Sequence, residues 1–492
     1  MTGKYLAEKH IKGYLTVYLA LILTIILSLC LTLIEGTRQN GIYMEAECIA
    51  DIGLNSVFAE YHRELFKQYN LFAIDSSYGT ALPQVDNVNQ HLSQYIERNL
   101  ARDDICLDWL LYRDFLGMQL DGTGIVEARM LTDDEGGVFR KRAADAMKDN
   151  LNIQLLQEVM EWMEVVEAEE MAERDIAEEK KKLDQQLKKY DGQEKQISET
   201  EWITIEVKNP TAYLEKMRKE GILKWVIKEP DKLSTKYLED DNLISFRMKA
   251  DRYNKGNMEW EQETEWEDFS ERFLFQEYLL QYMGYYGKEI EEHTLAYQIE
   301  YLLMGDKADL ENLRGVVNRI FAMREVANVS YLLSDQEKCG AAEAMGSLLA
   351  TAMTIPEAAG LIKYILLFGW AFAESIYDVQ CLMEGEQVPL MKDSSTWHFD
   401  LKAAMKFGVS EKKEVTNGLF YVDYLRILMC LEKNDILTSR AMDMVEADIR
   451  GTPYNSQFRL DGCLDAIAAD IKIKSAYGYD CEIIRERSYI PQ

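Results

Sequence analysis

The residues of this chain that could act as ligands, nucleophiles or proton carriers are few and scattered. The 8 cysteines stand at positions 30, 48, 106, 339, 381, 430, 463 and 481 with no C-x-x-C among them, so the paired-thiolate spacing of a zinc ribbon or a dithiol redox centre is absent. Cys463 and Cys481 fall on two neighbouring strand patterns and are the one pair that a disulfide could join, the cysteines otherwise reading as small core residues. The five histidines, His10, His62, His91, His293 and His398, form no H-E-x-x-H and no pair at helical spacing, which leaves a catalytic zinc without its imidazoles. Glu291-Glu292-His293 has ligand-type residues but reads as a solvated helix face. Asp133-Asp134-Glu135 could attract Ca²⁺, yet it lacks the Asx-x-Asx spacing of an EF-hand. Ser410-Glu-Lys-Lys413 satisfies S-x-x-K without the S-D-N and K-T-G elements that complete that catalytic set. Phosphate-cradling loops (G-x-x-x-x-G-K-[ST], G-x-G-x-x-G) and the G-x-S-x-G nucleophile elbow are missing as well. The reading is a protein with no catalytic constellation, no cofactor and no metal, and not an enzyme.

Such residues could only be positioned by a large, acidic, folded body. The 492 residues are 47% hydrophobic and 28% charged, which excludes general disorder, and their number calls for two or three cores rather than one. Against 55 Lys+Arg stand 85 Asp+Glu, a formal charge of −30, which repels a phosphate backbone and argues against nucleic acid as a partner. No proline lies between Pro83 and Pro210 or between Pro230 and Pro356, which leaves room for long helices.

One segment is decisive. From Tyr14 to Ile34 there is no charge, Gly or Pro, and as an α-helix the run extends ~32 Å at 1.5 Å per residue, close to the roughly 30 Å hydrocarbon thickness of a bilayer. A secretory signal would have an apolar run of only about 7–15 residues followed by a small-x-small cleavage site. A transmembrane helix that holds the chain in the lipid bilayer is expected. Lys4, Lys9 and Lys12 against Glu8 leave residues 1–13 positive, so the positive-inside bias keeps this tail in the cytoplasm and exports the acidic remainder. Glu35 and Arg38 mark the outer membrane boundary. A second apolar stretch, Leu361 to Ala373, contains Lys363 and is closed by Glu374 and Asp378. It is too short to span and reads as the central helix of a bundle.

The rest of the chain alternates helical patterns with breaks. A stalk continuing the membrane helix leads into a first α+β unit over 35–137, with a strand at 119–131 and a capping-box pattern at Thr132-Asp-Asp-Glu135. Residues 138–191 carry a 4-3 apolar register at Leu155, Val159, Trp162, Val166, Ile176, Leu183 and Leu187, broken by Glu169, Glu173 and Lys180. They read either as a projecting coiled-coil-like arm, through which the protein could oligomerise, or as helix lying along its own domain. A connector over 192–265 precedes a helical bundle over 266–455, in which Asp306 and Asp309 are suitable N-caps for the helix at 310–329. Residues 456–492 make a terminal β-hairpin whose partner is sought at 125–131, because an isolated hairpin is marginal in water. The fold class is mainly α with a minor β part (α+β).

The membrane segment, with Lys12-Gly13, Val17, Ala20-Leu21 and Glu35-Gly36-Thr37-Arg38, resembles the N-terminal region of the TadE/TadG-like proteins of the Tad (Flp) pilus-assembly system. Asn55 to Glu60, Glu64 to Asp75, Val317-Asn-Arg319 and Tyr331 to Ser334 are similar to a large uncharacterised Gram-positive branch of those proteins. The resemblance implies a surface or pilus-associated membrane protein without enzymatic role, whose partners are other pilus or secretion proteins. It also raises prepilin-type processing between Gly13 and Tyr14. Prepilins carry Glu at the fifth mature position, which here is Tyr18, and this departure favours an uncleaved anchor. The expected function is therefore a membrane-anchored extracytoplasmic scaffold or minor-pilin-like component of a Tad-like apparatus. A surface hydrolase acting on cell-wall or carbohydrate substrate is the rival, and it requires two carboxyls converging in an open groove.

Overall fold

The uncharged run is the first part of a single 55-residue helix, α1 (Lys4–Phe58), in the computed structural model of the chain. The structure describes residues 4–80, 82–100, 116–150, 152–168, 176–198, 201–239, 242–245, 247, 269–408 and 418–489. They form two compact units, one from Met1–Val138 and Thr452–Gln492, the other from Phe139–Arg247 and Thr264–Gly451.

In the first unit, α1 changes character along its length. Every described apolar residue from Tyr14 to Ile34 is exposed apart from partly covered Ile22, whereas Ile42, Ala46, Ile49, Ala50, Leu54 and Val57, spaced along one helical face, are buried. That face meets α3 (Val85–Leu100), whose Val88, Leu92 and Ile96 are likewise buried. Gly53 permits the approach, since a Cβ there would sit 2.8 Å from Ile96 Cγ1 and 3.3 Å from Leu92 Cδ1. Both helices cover an antiparallel sheet centred on the long strand β5 (Cys463–Ser475). One edge of β5 pairs along its length with β2 (Met118–Met130), which contains the segment sought as the hairpin's partner. The other edge pairs with β6 (Asp480–Ser488) and, at its start, with the two-residue strand β1 (Ile74–Asp75). The short helix α2 (Arg63–Tyr69) is capped by His62, whose Nδ1 accepts from Leu65 N. Leu464, Ile467, Ala469, Ile471 and Ile473 of β5 point into the core, and Arg129 on β2 donates through Nε (2.9 Å) and Nη2 (2.5 Å) to buried Asp465 beside them.

The second unit is helical. In chain order it contains α4 (Asp133–Asp145, entered from the first unit), α5 (Ile153–Ala168), α6 (Ile176–Lys188), α7 (Ala212–Glu220), α8 (Leu223–Val226), α9 (Phe269–Tyr282), α10 (Gln298–Met304), α11 (Asp309–Ser334), α12 (Gln336–Ala352), α13 (Ala359–Met383), α14 (Leu401–Lys406), α15 (Tyr421–Leu431) and α16 (Asn434–Arg450), with a two-stranded ribbon of β3 (Glu194–Ser198) and β4 (Glu201–Thr204). The apolar stretch 361–373 lies in α13, the axis of this unit, packed by α6, α7, α8, α11, α12 and α14. Its Ile365 to Ala373 are all buried.

Several expectations are corrected here. Cys463 and Cys481 do not form a disulfide with each other: Cys481 faces Ile473 and Cys463 faces Asp75, at opposite ends of β5. Ten residues of strand separate the two positions by roughly 33 Å, whereas a disulfide needs Cα atoms within about 7 Å. Within 138–191 the described helices do not form a projecting arm. α5 packs on α15 and α6 on α13 and α11, and Val159, Val166, Ile176 and Leu187 are buried, so this apolar seam is spent inside the unit. The capping box at 132–135 is replaced by a left-handed turn, with φ of 54°, 56° and 83° at Asp134, Glu135 and Gly136. The Asp133 carboxylate accepts from Met130 N and Thr132 O from Gly136 N, which stabilises that turn instead. Asp309 is not an N-cap either: α11 is entered from Ala308, and the Asp309 carboxylate accepts from Ala296 N, Tyr297 N and Ser234 Oγ. His293 is buried in a turn against Gln298 Oε1 rather than on a solvated helix. Ser410–Lys413 and Cys106 lie outside the described residues.

Candidate functional site

Where α1 leaves the exposed apolar run, Glu35 and Arg38 pair across one helical turn at 3.1 Å. The turn of the β5–β6 hairpin meets both. The Tyr479 hydroxyl donates to Glu35 Oε1 at 2.5 Å, and the Arg38 guanidinium lies 4.1 Å from the Tyr477 ring centroid. Gly478, at φ 80°, supplies the left-handed residue between the two tyrosines. The bond to Glu35 pushes the Tyr479 hydroxyl above its ordinary pKa, so it stays a donor at neutral pH. Amphipathic aromatic rings beside charges are what a membrane–water boundary selects. From Ile34 to the first buried residue of the core, Ile42, is ~12 Å of helix at 1.5 Å per residue, and the backbone is helical throughout. Arg485 on β6 ties the next turns through Glu47 (3.2 Å) and Asp51 (3.6 Å), and Tyr489 OH donates to Phe58 O at the helix end. The structure thus brings Glu35 and Arg38 together with two hairpin tyrosines that no local sequence pattern marks. Gly13 and Tyr14 lie in continuous helix.

The second unit holds a buried charged cluster. Arg324 and Asn328 come from one face of α11, Glu374 and Asp378 from successive turns of α13, and Lys392 and His398 from the loop after it. Trp370 and Trp397 fasten that loop by donating their indole N–H groups to Phe399 O at 3.0 and 2.9 Å. Lys392 Nζ contacts Glu374 Oε1 and lies 2.5 Å from Asp378 Oδ1, with all three side chains essentially inaccessible. Asp378 Oδ2 accepts from Arg324 Nε and Nη2 (both 3.1 Å) and from Asn328 Nδ2 (2.9 Å). Glu374 accepts from His398 N and Nδ1 (both 2.9 Å) and from Phe399 N (3.1 Å). Burial raises both carboxyl pKa values, but the Lys392 ammonium, joined at Asp378 by Arg324, overrides it and leaves both below their ordinary values. Glu374, Asp378 and His398 have ligand atoms within 4.8 Å of one another. They do not fit a metal, however, because the Lys392 ammonium already lies against both carboxylates and repels a second cation. The only sequence signal for this cluster is the pair of acids at helical spacing that closes the apolar run.

A cavity of about 960 Å³ opens elsewhere in the second unit, lined by Tyr285, Tyr286, Tyr297 and Tyr421 among others. Of its lining carboxylates Glu229, Glu289 and Glu384, Glu229 is tied to Lys232 (2.7 Å) and Glu384 to Lys228 (2.6 Å). Behind the tyrosines is Glu300, fully buried. Its Oε1 accepts from Tyr421 OH (2.8 Å) and Tyr286 N (2.9 Å), while Oε2 has no hydrogen-bond partner among the described residues. Burial pushes the Glu300 carboxyl up to about 7.

A family model described as a family of unknown function matches residues 200–475, more than half of the chain. The chain belongs to the DUF5702 family. No curated protein and no solved structure matches it. The DUF5702 match begins at the edge of β4 and ends with β5, so it contains the charged cluster, the cavity and the central strand of the first unit, and leaves α1 outside.

Proposed function

We propose that this DUF5702 protein is a membrane-anchored extracytoplasmic structural or assembly component, scaffold or minor-pilin-like, of a Tad-like pilus or secretion apparatus. The observation that carries the reading is the continuity of α1. Its exposed apolar half is long enough to cross a bilayer, and its other half is built into the core of a folded unit without an intervening break. A flexible tether would fix only location. A helix continuous with the core also fixes orientation at the membrane, which an assembly subunit needs. The Lys4, Lys9 and Lys12 tail stays in the cytoplasm and the acidic body lies outside. An exposed apolar helix of this kind is solvated by lipid and can equally be packed by the apolar helices of neighbouring subunits. The resemblance of the N-terminal segment to TadE/TadG-like proteins supplies the apparatus.

Membrane fractionation with intact-mass analysis tests this. The protein is expected in the membrane pellet after high-salt washing, with residues 1–13 still attached. A mass beginning at Tyr14 would replace the fixed anchor with a processed, pilin-like subunit. Recovery of full-length protein in the soluble fraction would overturn the reading.

A further inference from the structure

The charged cluster in the second unit has the parts of an amide-forming reaction. A primary amine, Lys392 Nζ, lies 2.5 Å from Asp378 Oδ1 in a site from which water is excluded. Adding a carbon–oxygen bond of about 1.2 Å, Cγ is no more than about 3.7 Å from Nζ, close to the ~3–3.5 Å of a near-attack pair. The other carboxyl oxygen, Oδ2, receives the Arg324 guanidinium and the Asn328 amide. These are the donors that an oxyanion on that atom requires. A second carboxylate, Glu374, touches the amine from its other side and is itself oriented by His398 and Phe399 N. Three donors thus hold one oxygen while the amine faces the other.

We propose that Lys392 and Asp378 are a modification site at which the chain joins itself through a side-chain amide, with Glu374 as the proton carrier. Glu374 takes a proton from the Lys392 ammonium and passes it to Oδ1, which leaves an amine against an uncharged carboxyl. The freed lone pair forms the Nζ–Cγ bond, and the charge that develops on Oδ2 is held by Arg324 and Asn328. The Cγ–Oδ1 bond then breaks, and Oδ1 leaves as water with the two protons that Nζ has given up, passed on by Glu374. One ammonium and one carboxylate become one secondary amide and one water, with no oxidant, no external reagent and no change in net charge. Glu374 ends as it began. The product closes α13 covalently onto the loop that carries His398.

Mass analysis of the full chain purified from its membrane tests this directly. The protein should be lighter than its sequence by one water. Trypsin should fail to cut after Lys392, whose amine is blocked, so that residues 364–402, which contain no other internal Lys or Arg, appear as one dehydrated peptide. Glu374→Gln, which conserves shape, should restore both the full mass and the cut at Lys392. An unmodified wild-type mass with cleavage after Lys392 would overturn the proposal whatever the variants do. A dehydrated peptide that persists in Glu374→Gln would overturn the role given to Glu374.

Discussion

The Glu300 carboxyl offers the sharpest test of the interior of the second unit. Its pKa rises from 4.5 to about 7 because the side chain is fully buried, and the bonds from Tyr286 N and Tyr421 OH offset only part of that cost. The folded state therefore holds a proton that the unfolded state releases. Stability is complete below about pH 4.5 and falls as pH rises, by about 1.4 kcal/mol per unit, until the folded pKa is passed near 7. The total loss is about 3 kcal/mol. Glu300→Gln keeps the acceptor for Tyr421 and Tyr286 and removes the titration, while placing an NH₂ where Oε2 now lacks a partner, at about 1–2 kcal/mol. The two stability curves should therefore cross. The variant is the weaker protein at about pH 5 and the stronger by about 1–2 kcal/mol at about pH 8. Asp443, also raised, to about 6, adds the same slope to both proteins and cancels in the difference. Urea unfolding of the full chain in detergent micelles, followed through the fluorescence of buried Trp370 and Trp397, measures it. Parallel curves, or a variant weaker at every pH, would refute a neutral buried Glu300.

Three further outcomes follow from the first unit. Gly53→Val forces a branched side chain into the 2.8 Å gap to Ile96 and should cost about 1–3 kcal/mol of that unit's stability, seen as faster hydrogen exchange in α1 beyond Ile42 and in α3 with α13 unchanged. Because Cys463 and Cys481 are buried at opposite ends of β5, reductant should leave the melting temperature unmoved, and iodoacetamide should label both only after unfolding; a reductant-sensitive mobility shift would contradict the observed register. Leu27→Arg places a charge midway along the exposed apolar run at a cost of about 2.5–3.5 kcal/mol of insertion. It should move protein from membrane to soluble fraction without altering the cores.

Periodicity carried most of the architecture. The apolar stripe of α11, the uninterrupted run of α1 and the alternation in β2 and β5 are local patterns, and each is visible in the residues that form it. Features that depend on a distant partner were not. Two cysteines the same distance apart as many hairpin pairs are opposite only if the turn lies midway between them, and here the turn at 476–479 puts Cys481 directly after it and Cys463 at the far end of the strand. The 4-3 register of 155–187 is real, but a stripe of apolar residues does not say whether its partner is another chain or, as here, α13, α11 and α15. The charged cluster was half legible. Glu374 and Asp378 close an apolar run within α13, and only the fold shows that Lys392 reaches both of them. The Tyr477 and Tyr479 contacts to Arg38 and Glu35 join residues more than four hundred positions apart, and no spacing rule reaches that far.

Protease added to intact, wall-stripped cells probes the anchored topology most directly. A single span at 14–34 with the body outside predicts that the acidic remainder is degraded while a short fragment containing the Lys4–Lys12 tail and the apolar run survives in the membrane. Full-length protein untouched by protease until the cells are lysed would contradict it.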